Sequence, residues 1–190
     1  MPLPRDLARR LAAPPVEVDG PGLYWAAVAV IVVPDPDALL LIRRAQREGD
    51  PWSGHIALPG GRRQAEDIDL AATAIRETEE EVGVVLERAD LVAALDDVAP
   101  RTPVLPPIAV RPFVFSVPER PRLALNAEVA AAEWVALDLL RAPGTHRVVE
   151  VAVSHGSLAT PAYVTPHGVV WGMTERILSL LFGPDMAQRA

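Results

Sequence analysis

Residues 58–84, LPGGRRQAEDIDLAATAIRETEEEVGV, predict a glycine turn, a polar loop and then a helix that ends at Gly83. Three acidic residues of this helix, Glu77, Glu80 and Glu81, share one face because they are three and four positions apart. Like charges at this spacing destabilise an isolated helix, and a divalent cation with oxygen ligands would remove that penalty. The stretch therefore predicts a carboxylate site for Mg²⁺ or Mn²⁺.

A second face of the same helix predicts how it packs. Ala71, Ile75, Thr78 and Val82 recur at the spacing of a stripe that faces a protein core. We therefore expect one side of the helix to be buried against a sheet, while the acidic side remains available for chemistry.

Composition sets the limits of the functional interpretation. The chain has 190 residues, which fits one domain over residues 1–190, with residues 1–20 as an N-terminal extension that holds a short helix at 5–13. It has no cysteine, which excludes disulfides, zinc–thiolate sites and thiol nucleophiles. A net charge of −7 argues against nucleic acid as a partner. The longest apolar run, 25–33, is too short to span a membrane, and without a signal-peptide core we expect a cytoplasmic protein.

Strand and helix patterns surround the acidic helix on both sides. We predict an α/β fold, an α/β/α sandwich on a mixed sheet, with the hairpin of the first two strands at its centre. The proline at position 112 predicts an edge strand or a bulge. Strands are expected at 24–33, 38–43, 55–58, 91–98, 108–117, 133–135, 148–153 and 162–165, and helices at 137–141 and 174–182.

Residues 58–84 resemble the signature box of the Nudix hydrolases, which reads Gly, five residues, Glu, seven residues, then Arg-Glu-apolar-x-Glu-Glu-x-Gly-apolar. Residues 76–84 fit its second half, with Thr78 in place of an aliphatic residue. The distance from Gly61 to Arg76 is one residue longer than in the family. No glutamate stands at the first Glu position, which Glu66, Asp67 or Asp69 must fill.

The wider chain is similar to the coenzyme A pyrophosphatase-like branch of that family. The shared features are GHIALPGG at 54–61, the Asp67 and Asp69 pair, and VVWGMTERIL at 169–178. The branch also has an arginine after its second strand, for which Arg43 or Arg44 can serve. It has a histidine where this chain has Trp52.

The resemblance implies a chemistry and a set of residues. Water attacks a diphosphate bond, and Mg²⁺, with Mn²⁺ as an alternative, is the expected cofactor. The expected catalytic residues are Glu80, Glu77 and Arg76, which orients a glutamate. The general base differs among Nudix families, so any of the three helix carboxylates can serve, and Glu80 is our choice. The metal ligands are Glu77, Glu80, Glu81, the carbonyl of Gly61, and Glu128.

Other residues are assigned from their chemistry and position. Candidates for gripping phosphate are Arg43, Arg44, Arg62 and Arg63, and candidates for stacking on a base are Trp52 and Trp134. Asp67 and Asp69 are expected to cap the helix and to supply acid to its first turn. No function is predicted for His146, His155 or His167, because their spacing fits no metal site.

Coenzyme A or a derivative is the expected substrate, cleaved to 3′,5′-ADP and 4′-phosphopantetheine. Within the same class, ADP-ribose, another nucleoside diphosphate derivative or a modified nucleoside triphosphate are alternatives. A non-catalytic, nucleotide-sensing Nudix module is the alternative from another class. The expected partners are the small-molecule nucleotide and a second copy of the chain in a homodimer, with no nucleic acid and no membrane.

Overall fold

The computed structural model of the protein describes residues 22–50, 52–100, 106–153 and 156–183. The predicted helix at 5–13, most of the proline-rich loop at 100–107, and His155 lie outside these residues. Two sheets and three α-helices make up the described part of the chain. The strands are β1 (Tyr24–Val33), β2 (Ala38–Arg44), β3 (Ile56–Ala57), β4 (Gly60–Arg62), β5 (Leu91–Ala94), β6 (Ile108–Ser116), β7 (Val129–Ala136), β8 (His146–Val153), β9 (Gly156–Thr165) and β10 (Gly168–Trp171), and the helices are α1 (Leu70–Val82), α2 (Leu137–Arg141) and α3 (Gly172–Phe182), with a 3₁₀ turn at Arg88–Asp90.

The larger sheet is mixed, as predicted. Its order is β3-β2-β1-β6-β5, with β4 also paired to β1 and β7 also paired to β2. Strands β1 and β6 run parallel, and the other pairs run antiparallel. The β1–β2 hairpin lies in the middle of the sheet, which confirms its predicted position.

Helices cover both faces of this sheet, and β1 is therefore buried on both sides. Alternate residues such as Ala29 and Ile31 pack in the cluster that contains α1, whereas Val30 and Val32 pack in the cluster that contains α2 and α3. The predicted sandwich is therefore confirmed. A separate three-stranded sheet in the order β10-β9-β8 extends the predicted late hairpin by one strand.

Two local predictions were wrong. The Pro-Gly-Gly segment was expected as a turn, but Gly60–Arg62 forms β4 and pairs with Ala26–Val28 of β1. Pro112 was expected at an edge or bulge of its own strand, yet β6 is an interior strand. The irregularity falls instead on the neighbouring strand β5, between Leu91 and Ala93. This irregularity lies opposite Val114 and Phe115 and not at Pro112 itself.

Helix α1 has the ends that its sequence predicts. Of the predicted core-facing residues, Ala71, Thr78 and Val82 are buried and Ile75 is partly buried. The side chain of Asp69 accepts from Ala72 N at 2.8 Å and caps the first turn. Gly83 ends the helix with φ 69°, and its N–H donates to Glu79 O at 2.9 Å. The hydroxyl of the buried Thr78 donates to Ala74 O at 2.7 Å, so the family's aliphatic position accepts threonine without an unpaired donor.

No helix in the described part of the chain is long and apolar enough to cross a membrane.

We predict that Gly60→Ala destabilises the fold. An added Cβ would lie 2.3 Å from Ala27 O and 2.6 Å from Val28 Cα, both of which are backbone atoms of the central strand. We expect the free energy of unfolding to fall by about 2–4 kcal/mol in urea melts.

The matched control is Gly156→Ala, where φ is +129° against +148° at Gly60 and no atom lies within 4 Å of the added Cβ. If both substitutions lower the free energy of unfolding equally, the close packing of β4 on β1 is not the reason that position 60 requires glycine.

Candidate active site

The acidic face of α1 packs against the two glycines of β4. Glu81 Oε2 accepts from the backbone N–H of Gly60 at 2.9 Å. The carboxyl carbon of Glu77 lies 2.4 Å from the place where a Cβ on Gly61 would stand. The absence of side chains at Gly60 and Gly61 therefore lets two helix carboxylates reach the backbone of the sheet.

Burial of these carboxylates makes their negative charge costly. Glu81 is 2% exposed, and burial raises its pKa to about 7, with further upward contributions from the nearby charges of Glu77 and Glu128. The Gly60 N–H and Arg44 oppose that shift. Burial also raises the pKa of Glu77, with Arg76 opposing the shift and Glu80 and Glu128 adding to it. The site therefore holds more negative charge than its own cations balance.

Arg76 is the main cation beside these carboxylates. Its Nε and Nη2 donate to the two oxygens of Asp67 at 3.0 and 2.9 Å, which is bidentate pairing. Its Nη1 donates to Glu77 at 2.9 Å and to Glu80 at 3.2 Å. The predicted contact between Arg76 and Glu80 is present, and two further carboxylates share the same guanidinium.

Asp67 has a different position from the one expected. It was predicted as a cap or first-turn acid, but it lies buried before the helix and accepts from Arg76, from Gln64 N and from the Thr73 hydroxyl. The hydrogen bonds from Arg76 hold the pKa of Asp67 well below its usual range. Only the Asp69 half of that prediction is confirmed.

The position of Asp67 also explains the unusual length of the signature box. Asp67 follows Gly61 after five intervening residues, which is the place of the family's first glutamate. The extra residue of this chain therefore falls between Asp67 and Arg76. Asp67 pairs with Arg76 across this longer interval.

The donor set at this site fits a hard divalent cation. It consists of carboxylates that are partly or fully buried and repel one another, and oxygen ligands are those that Mg²⁺ and Mn²⁺ prefer. As the side chains stand, no group of three or more His, Cys, Asp or Glu in the described ranges is arranged to hold a metal ion. A bound cation would have to compete with Arg76 for Glu77 and Glu80.

These residues lie at one end of a cavity of about 1110 Å³. The cavity runs from β4 and α1 across β6 to β8, β9 and the start of α3. The predicted site residues that line it are Gly61, Glu77, Glu81, Glu128, Arg44, Arg62 and Trp52. Glu80 and Arg76 do not line the cavity and stand beside its acidic end.

Three of the lining residues have partners of their own. Arg44 Nη2 donates to Asp50 at 2.8 Å, while its buried Nε has no hydrogen-bond partner in the described part of the chain. The guanidinium of Arg62 lies 5.4 Å from the ring centre of Tyr24. Glu128 forms a half-exposed ion pair with Arg47 at 3.0 Å.

The other substrate-binding candidates are not brought to the cavity. Arg43 donates to the carbonyls of Gly54 and His167 and joins loops to β2. Arg63 donates to the carbonyl of Asp67 at 3.3 Å. Trp134 packs against the core cluster under α1. Adjacent residues of a strand point to opposite faces, which explains why Arg44 lines the cavity and Arg43 does not.

The structure adds cavity residues to which the sequence assigned no role. His55 and Trp171 both line the cavity, with ring centres 4.7 Å apart. Glu175 lines it as well and bonds to His146. Trp171 and Glu175 belong to the quoted segment 169–178, but only the packing of α3 over the sheet brings that segment to the cavity. His167 contacts Glu133 on the neighbouring strand β7.

Comparison with known proteins decides the family. A model of the NUDIX domain matches residues 23–152 of this chain. The chain belongs to the Nudix family.

Relatives in sequence and structure agree with that membership. An uncharacterized protein of Schizosaccharomyces pombe is 36% identical over 157 residues, which cover 78% of this chain and 48% of that protein, so the chain spans about half the length of this relative. The uncharacterized Nudix hydrolase NudL of Cronobacter sakazakii is 32% identical over 157 residues, covering 80% and 78%. A MutT/nudix family protein from Enterococcus faecalis shares the fold, with TM-score 0.60, 19% identity, and coverage of 87% of this chain and 62% of that one. The sequence matches agree with the family, and the structural match agrees with the fold.

We predict that Asp67→Asn destabilises the protein by about 3 kcal/mol at pH 7, because it leaves Arg76 without its bidentate partner in a buried site. The pKa of Asp67 is lowered by folding, so its contribution is complete above the ordinary value of 3.8 and is lost as the pH falls toward the lowered pKa. Urea melts of both proteins from pH 7 to pH 3 should show the difference shrinking below about pH 4.

Asp69→Asn is the control, because asparagine also caps helices and only the exposed pair with Arg88 is lost. Equal losses of stability in the two variants would mean that the hydrogen bonds from Arg76 to Asp67 do not organise the site.

We predict that Glu81→Gln stabilises the metal-free protein at alkaline pH. Burial raises the Glu81 pKa from 4.5 to about 7, so the charge costs stability progressively above pH 4.5 and fully above pH 7. Glutamine keeps an oxygen for Gly60 N–H and removes that cost. With a chelator present, we expect the free energy of unfolding in urea melts to rise by about 2 kcal/mol at pH 8.5 and not to change at pH 4.

Exposed Glu79→Gln on the same helix is the control. Mg²⁺ should raise the melting temperature of the wild type and not that of Glu81→Gln. A gain that does not depend on pH would contradict the proposed electrostatic cause.

Proposed function

We propose that this protein is a divalent-cation-dependent hydrolase of a diphosphate linkage in nucleoside diphosphate derivatives, with coenzyme A or a derivative as preferred substrate. The observation that supports it best is the placement of Glu77 and Glu81 against the Gly60–Gly61 backbone at one end of a large cavity. That end supplies ligands for a cation, and the remainder supplies room for a nucleotide.

Nudix hydrolases generally use divalent metal ions. We propose that Glu77, Glu80 and Glu81 hold Mg²⁺ here, with Mn²⁺ as a substitute, and that the Gly61 carbonyl and Glu128 complete the set. When bound, the cation would neutralise charge on the diphosphate and make water a better nucleophile. The raised pKa values of Glu77 and Glu81 support this assignment, because a cation would offset the burial, and the smaller repulsion, that raise them.

The protein groups around the cation have separate tasks. Arg76, fixed by Asp67, orients Glu77 and Glu80. Glu80 is 51% exposed and is the carboxylate of the three that water reaches most freely, so we assign it the proton of the attacking water. Arg44 and Arg62 line the cavity as the cations for the phosphate groups, and Trp52 offers a flat surface beside them.

The size and lining of the cavity support a long substrate. Its volume of about 1110 Å³ exceeds the usual range for small-molecule sites, about 300–1,000 Å³. Beyond the acidic end the walls are largely apolar, with Ile108, Val110, Leu158 and Met173 among them. A nucleotide joined through its diphosphate to an extended chain, as in coenzyme A, matches both features.

A non-catalytic sensing module is less well supported. Binding alone does not require three carboxylates beside the diphosphate, and the burial of Glu77 and Glu81 costs stability. Retaining them is explained by a cation that takes part in a reaction.

We predict that Glu80→Gln lowers kcat by at least about 100-fold, because it removes the proton acceptor, while the thermal melt stays unchanged. The assay incubates the protein with Mg²⁺ and coenzyme A, acyl-coenzyme A, ADP-ribose, NADH, diadenosine polyphosphates or modified dNTPs, and mass spectrometry identifies the products.

Release of 3′,5′-ADP and 4′-phosphopantetheine as the preferred reaction is the expected result. Glu79→Gln is the matched control, because Glu79 is exposed and next in sequence. Full activity of Glu80→Gln would refute its role as base. Absence of metal-dependent cleavage across the panel would refute the proposal that the protein is a hydrolase.

A further inference from the structure

A buried carboxylate lies in the wall of the cavity that α3 provides, away from the metal-binding face of α1. Glu175 is 7% exposed and belongs to the first turn of α3. It lines the same cavity as Glu77 and Glu81. None of the steps proposed above uses it.

One oxygen of Glu175 is anchored and the other is available. Oε1 accepts from His146 Nε2 at 2.7 Å and from the Ser179 hydroxyl at 2.9 Å, and Ser179 in turn contacts the Tyr163 hydroxyl at 3.2 Å. Among the described residues none donates to Oε2. Oε2 is also absent from the fully buried atoms that lack a partner, and Glu175 lines the cavity, so Oε2 is the oxygen that remains for a ligand there.

Two aromatic rings line the same cavity as this carboxylate. Trp171 is the last residue of β10 and immediately precedes α3, and it lines the cavity together with Glu175. The ring of His55 lies 4.7 Å from that of Trp171 and is tilted by 50°. Burial lowers the pKa of His55, which favours the neutral ring at pH 7. Neutral and apolar ring faces of this kind suit a stacked heterocycle.

We propose that this part of the cavity binds the purine of the substrate, with the ring stacked on Trp171 and an exocyclic amino group donating to Oε2 of Glu175. The proposal rests on the proposed function only in taking the substrate to be a nucleotide. A carboxylate oxygen accepts hydrogen bonds and cannot donate them. It therefore favours the amino group of adenine over the carbonyl oxygen that hypoxanthine carries at the same position.

A purely structural role for Glu175 makes a different prediction. As a negative charge in the first turn of α3, paired with His146, it would stabilise the helix without affecting the choice of base. Base preference therefore separates the two roles, whereas a change in stability does not.

The test measures binding of AMP and IMP by calorimetry, since neither nucleotide contains a diphosphate to be cleaved. We expect the wild type to bind AMP about tenfold more tightly than IMP. Glu175→Gln should abolish or reverse that preference. Its amide oxygen can still accept from His146 and Ser179, which leaves the NH₂ group to face the cavity and to favour the carbonyl of hypoxanthine.

A second variant covers the case in which Glu175→Gln does not fold. Trp171→Leu should weaken AMP and IMP by equal factors, because every purine presents the same kind of ring face. Glu150→Gln, an exposed change on β8, should leave both affinities unchanged.

Equal binding of AMP and IMP by the wild type, no binding of either, or an AMP preference that persists in folded Glu175→Gln would each overturn the proposal. The proposal would also be overturned if Trp171→Leu weakened the binding of only one of the two nucleotides. These outcomes are separate from failure of the proposed function, which shows as absence of metal-dependent cleavage while AMP preference is retained.

Discussion

The contact between an acidic helix face and a strand of two glycines is the constraint on which the rest of this structure depends. Gly60 lies so close to β1 that a side chain there would meet the backbone of Ala27 and Val28. Gly61 leaves the space that the carboxylate of Glu77 fills. The helix can therefore approach the sheet closely enough for Glu81 to accept a backbone hydrogen bond. A side chain at Gly61 would displace the Glu77 carboxylate, and one at Gly60 would push β4 away from β1.

This arrangement concentrates negative charge, and that charge must be compensated. Arg76 provides most of the compensation by donating to Asp67, Glu77 and Glu80 together. Asp67 holds the guanidinium through Nε and Nη2, whereas Glu77 and Glu80 share Nη1, so Arg76 keeps its bidentate partner if a cation draws those glutamates away. The buried Glu81 receives no bond from Arg76, and its raised pKa shows that it remains only partly compensated.

The cavity joins two kinds of chemistry. At the α1 end, closely spaced oxygen ligands and the arginines Arg44 and Arg62 suit a metal ion and phosphate groups. At the α3 end, aromatic rings and one anchored carboxylate suit a neutral heterocycle that carries a hydrogen-bond donor. The apolar walls between the two ends suit the remainder of a long substrate.

The sequence by itself determined the helix α1 and its two faces, its end at Gly83, the cap at Asp69, the central hairpin and the family. All of these are set by periodicity, capping chemistry or a local motif, which act between residues close together in the chain. Sequence reasoning also proposed the acidic residues on α1, because a helix places residues three and four apart on one face.

Only the tertiary structure decided which distant residues meet those carboxylates. It chose Asp67 over Glu66 and Asp69 as the partner of Arg76, placed Arg44 in the cavity and Arg43 outside it, and brought Trp171 and Glu175 opposite α1. Each of these outcomes depends on strand register and on the packing of α3 over the sheet. Register is set by the whole buried face and not by any short stretch, so no local pattern could have revealed it.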